Sequence, residues 1–124
     1  AETDARRIDI SNRTTAKAAE IVAMLSPLEN TPELGVIDSA GLNDALADAD
    51  IIINTTSLGL HAGDALPCAL DNARADAVVA EIIMIPAETE WMKAAANRSM
   101  TVHAGRHMLD YQRDLMGVFM QMWD

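Results

Sequence analysis

The sequence holds a single cysteine in 124 residues, Cys68, which excludes an intrachain disulfide and makes a reducing compartment, the cytoplasm, the simplest setting. Positive charge is also scarce: nine lysines and arginines stand against 19 acidic residues, a formal net charge of -10. Nucleic acid and anionic membrane surfaces both select basic patches, so this balance argues against either as a partner. No run approaches the roughly 18 consecutive apolar residues that a spanning helix requires, and no basic-then-apolar signal pattern opens the chain. Internal repeats and low-complexity tracts are lacking too, which leaves one soluble domain as the default. The polar residues 1–7 lead straight into an apolar run with no initiator methionine before them, so the expectation is a piece of a longer protein.

Half of the residues are apolar, and they fall in short runs that alternate with helix-patterned segments. That alternation is the α/β signature. A strand is predicted over 7–11, then a helix capped by Thr14 with Ala18, Ile21, Val22 and Leu25 at helical spacing. Residues 27–35 read as a turn-rich connection, 36–37 as a brief strand and 41–47 as a short helix. Three consecutive isoleucines within 50–54 suggest a strand buried on both faces, the pattern of a parallel sheet. A second such run, 77–85, ends at Pro86. Thr89 can then cap a helix containing Trp91, Met92 and Ala95, with a stop at 97–99 and a last strand at 101–103.

The final segment places Leu109, Gln112, Met116, Phe119 and Trp123 on one helical stripe, and Met108, Met116, Met120 and Met122 read as core filler. Gln112 is the polar exception. An amide among apolar neighbours needs a partner, which a bound polar ligand or a backbone group can supply equally well.

Three segments carry candidate chemistry. Ile10 to Lys17 is a strand that turns polar and cationic where a helix begins, the place at which dinucleotide folds meet the adenosine ribose. An acidic residue there would repel a 2'-phosphate, whereas an arginine binds it through paired donors, so Arg13 points to NADP, with Lys17 and Thr14 adding a charge and a hydroxyl. The same residues also suit an ordinary capped helix with solvated basic side chains. Asn54, Thr55, Thr56, Ser57, Leu58 and Gly59 follow the isoleucine strand, at the sheet edge where ligands bind in open α/β folds, or else form a plain strand-to-helix turn. Gly105 and Gln112 bracket the start of the last helix.

Other constellations fail. His103 and His107 are four apart, but Gly105 interrupts the helix between them and no carboxylate and cysteine set completes a metal site. His61 reads as a surface loop residue, and Ser57, His61 and Asp64 lack a nucleophile-elbow motif.

Taken in order, Asn12-Arg13-Thr14-x-x-Lys17, the 53–59 run Ile-Asn-Thr-Thr-Ser-Leu-Gly, Pro86-Ala87-Glu88-Thr89 and Gly105-x-x-Met108-Leu109-x-x-Gln112 resemble the C-terminal, NADP-binding domain of the shikimate dehydrogenase family, quinate-using members included. The resemblance covers nearly the whole chain. It implies a Rossmann-like parallel sheet flanked by helices, incomplete here because the first strand and its glycine-rich turn would precede Ala1. It also implies that Asn12, Arg13, Thr14 and Lys17 hold the adenosine 2'-phosphate. The Asn54–Ser57 loop would line the cofactor, with Ile82, Gly105 and Met108 beside the nicotinamide, and Gln112 would hydrogen-bond a hydroxyl of a shikimate-like substrate. The reaction implied is reversible hydride transfer between NADP and the carbon bearing a ring hydroxyl.

The chain departs from the family where an Asp-x-x-Tyr pattern is usual. Here stand Glu81, Ile82, Ile83 and Met84, so a methionine that cannot donate a hydrogen bond replaces the substrate-contacting tyrosine. The family's catalytic lysine and aspartate belong to an N-terminal substrate domain that these residues do not include, and Lys93 is not their substitute. In the doubly wound order 3-2-1-4-5-6, a missing first strand would leave a gap that direct strand pairing or a partner would have to close. Alternatives are a non-catalytic NADP-binding module, or another NADP-dependent reductase domain such as a glutamyl-tRNA reductase-like one, against which the 105–112 ending argues. The partner expected is a small hydroxy-acid substrate, and a homodimer is the commonest assembly of soluble proteins.

Overall fold

A computed structural model describes residues 5–28 and 30–122. The chain divides into two compact units, Ala1–Asp48 and Ala49–Asp124. Every strand pairing in both is parallel, and a helix lies between successive strands except across residues 55–77, which hold none.

In the first unit, β1 (Arg7–Ser11) pairs with β2 (Glu33–Ile37) in the register Asp9 to Gly35, and α1 (Thr15–Leu25) is the crossover between them. β2 begins inside the stretch expected to be turn. Its Glu33 N–H donates to the Arg6 carbonyl at 3.0 Å, so pairing with β1 draws Glu33 to Gly35 into the ladder despite their weak strand propensity. Helix α2 (Leu42–Asp48) follows, one residue later than the spacing predicts. Ala18 of α1 and Leu46 of α2 are the buried apolar side chains of this unit among the described residues.

In the second unit, β3 (Ile51–Asn54), β4 (Val78–Glu81) and β5 (Thr101–His103) form a sheet in that order. Helix α3 (Glu90–Asn97) links β4 to β5, and α4 (Arg106–Phe119) follows. The core gathers Leu70, Ala73, Ala77, Val79, Trp91, Ala95 and Met100, with Ile52, Cys68 and Val102 packed against it. Trp91 is 1% exposed, and its indole N–H donates to the Cys68 carbonyl at 3.1 Å, so the largest core side chain leaves no polar atom unpaired. Burial pushes the Cys68 thiol up.

Both ends of α3 are set by local chemistry. The Thr89 hydroxyl accepts from the Met92 N–H at 3.2 Å, as the sequence leads one to expect of an N-cap. At the other end Ser99 adopts φ 60°, while the Ser99 and Met100 N–H groups reach the Ala96 and Ala95 carbonyls. This is the Schellman arrangement, which satisfies two orphan carbonyls and turns Met100 into the core.

Three expectations are overturned. Ile51 and Ile53 are 60% and 58% exposed, so the isoleucine strand is buried on one face and open on the other: successive side chains alternate, and only Ile52 meets the core. The 77–85 run is not one strand, because β4 ends at Glu81, whose side chain captures the next two backbone N–H groups. The stripe on α4 does not enter the core either. Leu109, Met116 and Phe119 are exposed, as are Met108, Met120 and Met122, and Gly117 is the buried residue of that helix; Trp123 lies outside the described residues. The described strands form a two-stranded sheet, β1-β2, and a three-stranded sheet, β3-β4-β5.

Candidate functional site

The cationic segment of the first unit has the form the sequence suggested, with one change of partner. Thr14 occupies the N-cap of α1 in an extended conformation, but its hydroxyl makes no capping bond. Asn12 closes the turn instead, its Oδ1 accepting from the Thr14 N–H at 2.8 Å. Thr14 is thus the N-cap residue that the sequence predicts, but its hydroxyl is not used, and the Asn12 bond closes the turn just ahead of the helix. No acidic residue lies in the first turn of α1. Arg13 and Lys17 are exposed, and neither joins an ion pair among the described residues. Two cations beside a helix N-terminus, with no carboxylate in that turn, suit an anion.

The second unit brings Asn54, Thr56, Ile82 and Gly105 into one bonded and packed assembly. Asn54, 2% exposed, accepts from the Thr56 N–H at 3.0 Å and hydroxyl at 2.8 Å, and donates to the Leu58 carbonyl at 3.1 Å. The loop leaving β3 is therefore folded back upon a buried amide, while Thr55, Thr56 and Ser57 remain exposed along it. Gly59 sits at φ +106°, a conformation that L side chains rarely adopt.

Gly105 is buried for a packing reason. A Cβ there would stand 2.6 Å from the Ile83 carbonyl oxygen and 2.7 Å from the Ile82 carbonyl carbon and oxygen. Only glycine lets the start of α4 rest on the backbone that leaves β4. Met84, Met108 and Gln112 are exposed side chains. Gln112 and Met116 line a shallow cavity of about 330 Å³ on α4, whereas Met84 is not among its walls.

A second cavity, of about 390 Å³, lies between 59–67 and 85–93, and of the run expected at the ligand edge it takes in Gly59 alone. Asp64 shapes its rim. Its carboxylate accepts from the His61 and Gly59 N–H groups at 3.0 and 3.1 Å, and these bonds hold it below the usual carboxylate range. Asp64 thus ties a loop, in keeping with the rejection of a Ser57, His61 and Asp64 triad. Lys93 pairs with Glu90 at 2.7 Å, and the His103 and His107 rings lie 4.9 Å apart across Gly105. What sequence reasoning missed is the role of Glu81, which is buried at the end of β4 and bonded to Asn54 and Thr89. The available signal was a lone carboxylate closing an apolar strand.

The chain is 39% identical over 111 residues to a shikimate dehydrogenase (NADP(+)) of Geobacillus kaustophilus, and 36% identical over 113 residues to one of Geobacillus sp. strain WCH70. The chain is homologous to the shikimate dehydrogenases. It spans 39% of the length of the first relative and 40% of the second, while 89% and 90% of its own residues take part. In solved structures its fold is similar to a quinate dehydrogenase of Corynebacterium glutamicum in complex with NAD, with a TM-score of 0.77 at 22% identity over 86% of this chain and 38% of that one. It is also similar to a ligand-free 5-ketofructose reductase of Gluconobacter sp. strain CHM43, with a TM-score of 0.73 at 30% identity over 85% of this chain and 38% of that one. No family model matches. The α/β architecture of parallel strands flanked by helices is thus that of dehydrogenases with a Rossmann-like fold.

Proposed function

We propose that this chain is the NADP-binding part of a shikimate- or quinate-type dehydrogenase, which moves a hydride between NADP and the ring hydroxyl or ketone of a shikimate-like acid. The observation that carries the reading is the Asn12 turn. It presents Arg13 and Lys17, unpaired among the described residues, beside the N-terminus of α1 in a chain of net charge -10. In so acidic a protein, two cations left without carboxylate partners fit a phosphate. Similarity to relatives named for NADP(+) supports the same reading.

In this reading Asn12, Arg13, Thr14 and Lys17 hold the 2'-phosphate, Arg13 through paired donors and Lys17 as a point charge. Asn54, Thr55, Thr56 and Ser57 line the cofactor, and Ile82, Gly105 and Met108 lie at its nicotinamide. The cofactor supplies the hydride, and these residues hold and orient it. Gln112 and Met84 face the substrate, the methionine lowering the demand for a hydroxyl at that point of the ring. A catalytic lysine and aspartate belong, on this proposal, to a substrate domain in the rest of the relatives' length. On this proposal the parent enzyme works in the cytoplasm, a reducing compartment with which the single cysteine of these 124 residues is consistent.

The test is Arg13→Ala in the full chain, with NADP and NAD affinities measured side by side. Loss of a charge-assisted contact of about 1.5–3 kcal/mol raises the NADP dissociation constant roughly 10- to 100-fold. The NAD constant stays within about twofold, because NAD lacks the phosphate that Arg13 would bind. Equal weakening of both cofactors sinks the assignment.

A further inference from the structure

Glu81 closes β4, is 3% exposed, and forms no ion pair among the described residues. A carboxylate taken out of water is unfavourable unless hydrogen bonds replace its hydration. Four groups do so here. Oε1 accepts from the Ile82 and Ile83 N–H groups at 2.9 and 3.2 Å, and Oε2 accepts from the Thr89 hydroxyl at 3.2 Å. The Asn54 amide nitrogen lies 3.0 and 3.1 Å from the two oxygens. An ionised carboxylate has about four acceptor sites, so these donors saturate it.

The donors come from three segments: the end of β3, the stretch leaving β4, and the N-cap of α3. Asn54 in turn holds Thr56 and Leu58, and the Ile82 and Ile83 carbonyls are the floor on which Gly105 rests. One buried carboxylate therefore determines how the exposed 55–57 loop stands relative to Ile82 and to the start of α4.

We propose that Glu81 is the positioning residue of the second unit's candidate site, locking Asn54 and Ile82 into one rigid edge that a cofactor meets without touching Glu81 itself. The ligand named here rests on the NADP reading above; the clamp does not. A glutamine of the same shape carries one acceptor oxygen and two N–H donors. Whichever way it turns, part of the network then faces donor against donor. Glu81→Asp keeps the charge and the lone pairs but withdraws the carboxylate by one methylene.

The experiment compares the wild type, Glu81→Gln and Glu81→Asp in the full chain by amide hydrogen exchange and by NADP titration. In Glu81→Gln, exchange at Ile83, whose N–H Glu81 accepts, is expected to speed about tenfold relative to the amides of α3, with a similar rise in the NADP dissociation constant. In Glu81→Asp both changes go the same way but are smaller, about threefold, because the charge stays while the carboxylate withdraws from its donors. Unchanged exchange at Ile83 overturns the proposal, as does equal acceleration throughout α3 and β5, which would reduce Glu81 to a general contributor to stability. Unchanged affinity in a protein that binds NADP overturns it too. A wild type that does not bind NADP, with Ile83 still loosened in Glu81→Gln, removes the cofactor reading alone. If Glu81→Gln does not fold, Glu81→Asp takes its place, and the absence of a local change at Ile83 is then the overturning result.

Discussion

The second unit removes Trp91, Val79 and Ala95 from water and also buries the Glu81 carboxylate, whereas in the first the buried apolar side chains among the described residues are Ala18 and Leu46. The first unit rests on the β1–β2 ladder, beside which stand exposed pairs such as Arg7 with Asp9 at 2.9 Å and with Glu33 at 3.2 Å. The candidate residues differ in the same way. Arg13, on the turn before α1, and Lys17, in the first turn of that helix, are solvated charges, while Asn54 and Gly105 are held by packing and a saturated hydrogen-bond network. A site meant for an anion can be left to exposed cations, because charge acts over a distance. A site that must present a defined edge requires buried scaffolding.

The largest expected effect is at the core. Trp91→Ala removes the largest of the fully buried side chains and should lower the unfolding free energy of the second unit by about 3–5 kcal/mol in denaturant titration. A loss below about 1 kcal/mol would mean that this unit is not organised by its core at all.

Gly105→Ala comes next. Its new methyl would meet the backbone of Ile82 and Ile83, which cannot swing aside as a side chain can, so a loss of about 1–3 kcal/mol is expected, with exchange at Ile83 accelerated. Wild-type stability in that variant would show that α4 shifts freely on the end of β4.

The smallest effect sharpens the contrast from the other side. Asp9 and Glu33 raise the Arg7 pKa above its ordinary value, yet all three side chains are in contact with water, and exposed pairs contribute little. Arg7→Ala should leave the thermal midpoint unchanged within error, at low and at high salt. A drop rivalling that of Trp91→Ala would mean that surface charge holds the first unit together.

Several elements were legible because their causes are local. The Thr89 cap, the stop after Asn97, the run after β3 and the break at Gly105 each depend on residues within a few positions of one another. The start of β2 was not legible, since Glu33 and Gly35 enter the ladder through β1, more than twenty residues away. The isoleucine triplet misled for a related reason: an apolar run reports affinity for a sheet but not how many of its faces are covered. The α4 stripe is apolar yet exposed, and periodicity alone contains no information about what lies against it.

By itself the sequence determined the alternation of strand and helix, the poverty of positive charge, and the placing of Arg13 and Lys17 beside a helix start, because composition and short-range spacing suffice for each. Only the tertiary structure decided that Glu81 would draw Asn54, Ile82, Ile83 and Thr89 together, and that Gly105 would rest against backbone. Those contacts join residues up to 27 positions apart and exist only once parallel pairing has brought the ends of β3 and β4 side by side.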